Sequence, residues 1–178
     1  MTEPLTPPQA LAALSPAPRL VVLMCGVAGS GKTSFSQALE AKGFRRLSID
    51  EEIWDRFGRY GVDYRPEDYG RHVAAARSAL RDQLAARLAA GQDAVVVDSS
   101  FWSRAHRDDF KHLVEAAGGT WRLIYLDAPE TTLRERLAAR RARFDANAAL
   151  PIDEAKLRSF LKSFEAPSGE GEITVTVA

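Results

Sequence analysis

The sequence predicts an α/β domain whose parallel sheet is covered by helices on both faces. Three observations carry that expectation. Short apolar runs that read as buried strands alternate with longer helical segments. The first run, Leu20–Cys25 (LVVLMC), has no polar alternation, as in a strand buried on both faces. A glycine-rich turn follows it at once and opens a helix.

The elements follow in order. The first 18 residues hold five of the nine prolines and read as a proline-rich flexible leader or a stretch on the surface, so the domain is expected over residues 19–178. After the first strand, a helix is expected from about Lys32 to Ala41, ended by Gly43. Phe44–Ile49 reads as a second short strand, and residues 50–65 as a short helix with a functional loop. Pro66 suits the first turn of a helix to about Ala90, on which Val73, Ala76, Leu80, Leu84 and Leu88 form one apolar stripe. Ala94–Val97 is the third strand, closed by Asp98. Ser103 caps the next helix, which Gly118 and Gly119 stop. Trp121–Leu126 is the fourth strand, with Asp127 at its end. Pro129 opens an arginine-dense helix, Asp145–Leu150 is a loop, and Asp153 caps a helix to about Phe164. Ile173–Val177 alternates with period two and reads as the last strand.

Composition narrows the class. The 178 residues carry 24 basic and 24 acidic side chains, and 46% are apolar, as in a folded globular chain. The zero net charge argues against a dedicated nucleic-acid binder with a broad basic face. No run approaches the length that crosses a bilayer, and Glu3 precedes any Lys or Arg, so no signal peptide or membrane partner is expected. A single cysteine, Cys25, excludes an internal disulfide and points to a reducing, cytoplasmic setting. A monomer or small homo-oligomer is expected. His72, His106 and His112 have no metal-ligand spacing and read as structural or surface residues.

The chemistry is concentrated after strands, where ligands sit in folds of this class. Gly26-Val27-Ala28-Gly29-Ser30-Gly31-Lys32-Thr33, followed by Ser34, matches G-x-x-x-x-G-K-[ST] between a buried strand and a helix. Its glycines let successive N–H groups converge on phosphate oxygens, and the helix N-terminus adds partial positive charge. Lys32 reaches the β and γ phosphates of ATP, and the Thr33 hydroxyl ligates Mg²⁺. Asp98, ending an apolar strand, places a second group near that metal. An N-K-x-D segment is absent, since Asn147 is the single Asn, which argues against guanine specificity. The chain has no room for the added helical domain of an AAA+ motor.

From Leu20 to about Phe164 the chain resembles the bacterial P-loop kinases related to phage polynucleotide kinase, zeta-toxin kinases and chloramphenicol phosphotransferase. The matching segments are Gly29-Ser30-Gly31-Lys32-Thr33, Ser48-Ile49-Asp50-Glu51-Glu52, Val96-Val97-Asp98-Ser99-Ser100, Ala139-Arg140-Arg141 with Leu150-Pro151-Ile152-Asp153, and Leu157-Arg158-Ser159-Phe160. The resemblance implies a single-domain P-loop nucleoside-triphosphate hydrolase fold with a five-stranded parallel sheet ordered 2-3-1-4-5. It also implies an arginine-rich lid over about residues 134–150. It makes Asp50 the catalytic base, Arg140 the arginine that meets the transition state, and Arg136 a residue that stacks on adenine.

Elementary chemistry supports those roles. A carboxylate just past the second strand can orient a hydroxyl and take its proton as the γ-phosphoryl arrives, although Asp50 also reads as a helix cap. Arg136, Arg140 and Arg143 share one helical face by spacing, which suits a lid that offsets charge. Arg104 and Arg107, on the helix after Asp98, are candidates to hold a substrate phosphate. The expected activity is transfer of the γ-phosphoryl of Mg-ATP to a hydroxyl. Ile49 stands where the polynucleotide branch commonly has Arg, and Ser100 where it has Asn. Both positions would hold a polynucleotide, so a small-molecule or nucleotide-like acceptor is favoured. A polynucleotide 5′-hydroxyl kinase is the alternative, and a nucleotide-gated switch or partner-binding ATPase is the reading from another class.

Overall fold

A computed structural model describes residues 3–178. Strand β1 (Leu20–Cys25) lies at the centre of the sheet and is buried along its whole length. Beside it run β3 (Val95–Asp98) and β4 (Thr120–Asp127), with β2 (Arg45–Ser48) beyond β3 and β5 (Glu172–Thr176) beyond β4. All four pairings are parallel, and the order is β2-β3-β1-β4-β5, as the resemblance implied. The register sets Val21 opposite Val95 and Trp121.

Alternation along β1 divides the core. Val22 and Met24 point to one face, where Phe35 and Leu39 of α2 (Lys32–Ala41) meet Ala10 and Leu14. Val21, Leu23 and Cys25 point to the other, where Leu80, Leu84 and Leu88 of α4 (Tyr69–Ala90) meet Phe110 and Val114 of α5 (Arg104–Ala116). The expected stripe on α4 is thus its sheet-facing side, with Val73 only half-buried at its near end. A third cluster joins Leu133 and Leu137 of α6 (Glu130–Arg140) to Leu157 of α7 (Glu154–Ser163), against Val27 and Ala28. Helix α6 therefore rests on the glycine-rich turn itself. Between β2 and α4 lies α3 (Ile49–Phe57). Among the described residues, no helix is long and apolar enough to cross a membrane.

Residues 3–18 differ from the expectation of a flexible leader. Pro7–Ala13 forms helix α1, with Pro7 and Pro8 in its first turn, where a missing N–H costs nothing. Gln9 Oε1 accepts from Thr6 N at 2.8 Å, and Ala10 and Leu14 are buried. Leu5 pairs with the outer edge of β5: Leu5 N donates to Thr174 O and Thr176 N to Leu5 O, both at 2.9 Å.

Arg107 belongs to the core. Its guanidinium donates to both carboxylate oxygens of Glu170, at 2.8 and 2.6 Å, and to Phe101 O at 2.8 Å. Lys111 Nζ donates to Glu170 O at 3.1 Å and lies over the Trp121 ring. The Arg107 hydrogen bonds hold the Glu170 carboxyl below its usual range. A depressed acid contributes stability above its unfolded pKa and loses it as pH falls through the folded value. Removing one partner leaves the other charge buried and unpaired. Glu170→Ala is expected to lower stability by about 3 kcal/mol or more in urea titrations at pH 7, with a smaller difference from the parent protein in acid. Equal midpoints at pH 7 would show that the pair is dispensable.

Candidate active site

The glycine-rich turn follows from backbone geometry. Gly26 has φ +146°, and a Cβ there would lie 2.7 Å from Ser30 Oγ and 2.9 Å from Leu126 O. Gly31 has φ +103° and faces Arg136 Nη1, 3.2 Å from where a Cβ would sit. Only glycine fits both demands. The loop opens α2, and a helix N-terminus favours an anion. Lys32 Nζ folds back onto Gly26 O and Val27 O, at 2.8 and 3.0 Å.

One cavity of about 580 Å³ gathers most of the predicted residues. Gly26, Val27, Ala28, Gly29, Gly31, Lys32, Thr33 and Ser34 line one end, together with Arg136 and Arg140. Ser30 is buried beneath the loop, and its Oγ has no hydrogen-bond partner. Asp50, in the first turn of α3, and Asp98, the last residue of β3, line the same cavity. Burial pushes the Asp50 carboxyl up to about 6, and Asp98 adds to the rise; Arg140, Lys32 and Arg46 oppose it. Burial likewise pushes the Lys32 ammonium below its usual value, against the pull of Asp98 and Asp50.

Three side chains define the electrostatics further. Arg140 lines the cavity with its Nε buried and without a partner. Asp98 is gripped by Arg46, whose Nε and Nη2 both donate to Oδ2, at 3.1 and 2.6 Å. Arg46 also donates to Glu51 Oε1 and to Asn147 Oδ1, and Asn147 Nδ2 donates to Glu51.

The structure corrects several expectations. Asp50 is not the cap of α3: Ser48 is, its Oγ accepting from Glu51 N at 3.3 Å. Arg107 does not face the cavity, because it is buried against Glu170. Arg104 lies outside the cavity lining, exposed beside Asp108. Arg143 falls beyond the end of α6, yet it lines the cavity with Arg136 and Arg140. Arg136 donates to Ser30 O at 3.2 Å and so braces the loop. His106, expected to be structural or on the surface, lines the cavity 2.9 Å from Arg77 Nη1. Sequence reasoning missed Arg46, Arg77 and the part played by Asn147. None lies in a motif; Arg46, on a short edge strand beside the buried Leu47 and Ser48, was the available signal.

The sequence matches the AAA domain family over residues 21–167. The chain belongs to that family. Within the AAA domain family, the match does not single out the polynucleotide-kinase-like, zeta-toxin-like or chloramphenicol-phosphotransferase-like branch. No curated protein matches the sequence. Among solved structures, a candidate kinase from Chloroflexus aurantiacus is similar at 24% identity and TM-score 0.70, covering 88% of this chain and 87% of that one. A gluconokinase from Sinorhizobium meliloti is similar at 26% identity and TM-score 0.59, covering 89% and 82%. Kti12 from Chaetomium thermophilum, solved in complex with ADP-AlF3, is similar at 17% identity and TM-score 0.60, covering 89% and 88%. This AAA-domain chain thus has the fold of P-loop kinases.

The raised Asp50 pKa makes a stability prediction. The folded state holds this proton up to about pH 6, whereas the unfolded chain releases it near the ordinary Asp value. Ionised Asp50 therefore costs stability above that window, and nothing is lost below it. Asp50→Asn is expected to melt about 2–4 °C higher than the parent at pH 7.5, roughly 1 kcal/mol for a domain this size, with the gap closing toward pH 4. A constant gap across pH, by scanning fluorimetry, would contradict the burial of this carboxylate.

Proposed function

We propose that this protein is an ATP-dependent kinase that transfers the γ-phosphoryl group to a hydroxyl of a small molecule. The observation that carries the reading is the meeting of Lys32, Asp50 and the unpartnered Arg140 in one cavity. A nucleotide-binding switch has no use for a basic carboxylate beside the phosphate loop. The kinase-like fold shared with the gluconokinase supports the same reading.

Each residue has a task. Residues 26–34 hold the ATP phosphates through backbone N–H groups, and Lys32 leaves its carbonyl partners to meet the β and γ oxygens. Arg136, at the mouth of the loop, packs against the nucleotide. Asp50, with its pKa near 6, is ionised at neutral pH; it orients the acceptor hydroxyl and takes its proton. Arg140 offsets the charge that develops on the transferring group. Among the described residues no cluster of three or more His, Cys, Asp or Glu could hold a metal alone. That fits Mg²⁺ carried mainly by phosphates, with Thr33 and the Oδ1 of Asp98, which Arg46 leaves free, as the protein's share. When bound, Mg²⁺ neutralises phosphate charge.

The test uses purified protein, ATP and a panel of hydroxyl-bearing small molecules, with ADP release read against ATP affinity by calorimetry. Lys32→Ala is expected to lose ATP binding. Asp50→Asn is expected to keep it and to reduce acceptor-dependent turnover at least about 10²-fold. Arg140→Ala is expected to cut kcat about 10²-fold with ATP affinity spared. Acceptor-independent ATP hydrolysis that Asp50→Asn leaves intact would favour a switch. Binding of single-stranded oligonucleotides with a log–log salt slope steeper than about −2 would favour the polynucleotide kinase.

A further inference from the structure

The wall of the cavity around Arg77 has a chemistry of its own. It comes from α4, the loop after β3, α5 and α7. It is largely apolar: Val73, Leu80, Phe101, Phe110 and Phe164 line the cavity here, and Phe160 joins them to Val27 and Ala28 of the glycine-rich turn. One guanidinium stands among them. Arg77 projects from the same side of α4 as Val73 and Leu80, at spacings of four and three residues. Among the described residues it has no carboxylate partner. Arg81, one turn further along, donates to Asp109 at 3.0 and 3.2 Å and shows how such a pairing looks on this helix.

Arg77 is held instead by His106, with Nη1 2.9 Å from Nε2. Burial keeps the His106 ring below its usual pKa; Arg77 reinforces this, while Asp109 and Glu165 oppose it. A neutral imidazole accepts the Arg77 N–H at Nε2 and adds no charge. One edge of the guanidinium is thereby fixed, and its remaining donors are available to a ligand.

We infer that the acceptor is a hydroxy compound with an apolar body and an oxyanion, carboxylate or phosphate, and that Arg77 binds this group while His106 positions Arg77. The inference rests on the kinase reading for the word acceptor, and the anion subsite stands on geometry alone. A polyhydroxylated sugar acid fits poorly. Its hydroxyls would lie against phenyl rings and lose hydrogen bonds that water supplies. An aromatic or aliphatic hydroxy acid, or its phosphate counterpart, keeps its body on those rings and its charge on Arg77.

Binding of simple probes tests this without knowledge of the acceptor. Benzoate, phenyl phosphate, benzamide and gluconate are titrated calorimetrically into the full chain in the presence of ADP. At least one of benzoate and phenyl phosphate is expected to bind at millimolar concentration, and which of them binds more tightly identifies the oxyanion. Benzamide and gluconate are expected to bind at least about 10-fold more weakly. Arg77→Met is expected to weaken the preferred anion about 10-fold or more and leave benzamide and ADP unchanged, the retained ADP affinity reporting an intact fold. His106→Phe is expected to weaken the anion as well, and His106→Gln, which keeps an acceptor for Arg77, to restore it. Failure of both anions to bind, or equal binding of benzoate and benzamide, overturns the inference, as does indifference to Arg77→Met. These outcomes leave ATP binding and the Asp50→Asn turnover assay untouched. Full transfer by Asp50→Asn would sink the assignment of Asp50 as base and leave the anion site standing.

Discussion

The site depends on one buried guanidinium. Arg46 enters from β2, and its side chain is 4% exposed; Asp98, at the end of β3, is 5% exposed. Taking two such ions out of water costs several kcal/mol each, and their attraction repays it only when the remaining donors are satisfied. Here Glu51 and Asn147 satisfy them. One cation therefore fixes the edge of the sheet, the start of α3, the turn at residues 146–148 and the Asp98 carboxylate that lines the cavity. Asp50 lies in the first turn of α3, beside the Glu51 that Arg46 holds, so its place in the cavity depends on that grip. The raised pKa of Asp50 comes from the same crowding: a second acid sits close by and solvent is scarce.

The sequence made the sheet legible because its strands are short, apolar and bounded by glycine, proline and aspartate. The phosphate loop was legible for the same local reason, since its geometry is made by backbone and needs only glycines, Lys32 and Thr33. What escaped depended on partners far away in the chain. Arg107 lies close after Asp98 and reads as a ligand-binding residue, but Glu170, 63 positions later, claims it. Pro7 and Pro8 read as a break in structure, and nothing local reveals that the following helix buries Ala10 and Leu14 against the sheet. Asp50 was legible as a candidate, whereas the cap of α3 is Ser48, a local contact three residues from Glu51 that the Ser48-x-x-Glu51 spacing already offered.

The cavity is built by two different methods. Its nucleotide half is mostly main chain, held open by glycines and braced by Arg136. Its other half is mostly side chain, drawn from four separate elements packed on a shared core. A main-chain cradle tolerates little change, because each glycine meets a neighbour within about a bond length of clash. A side-chain wall can be rewritten one residue at a time without moving the sheet. Changes to the side-chain wall are thus separable from changes to the glycine-rich turn in this fold.

The bridge at Leu5 has a consequence for the company this protein keeps. β5 is the last strand on its side, and a bare edge strand offers unpaired N–H and C=O groups to any neighbouring chain. Leu5 occupies the Thr174 and Thr176 positions of that edge, and Pro7 and Pro8 follow after Thr6. Proline has no N–H to extend a ladder, so the added segment ends after a single bridge and cannot seed another. The residues ahead of the first strand act as a selvedge: they finish the sheet where it would otherwise fray into its neighbours.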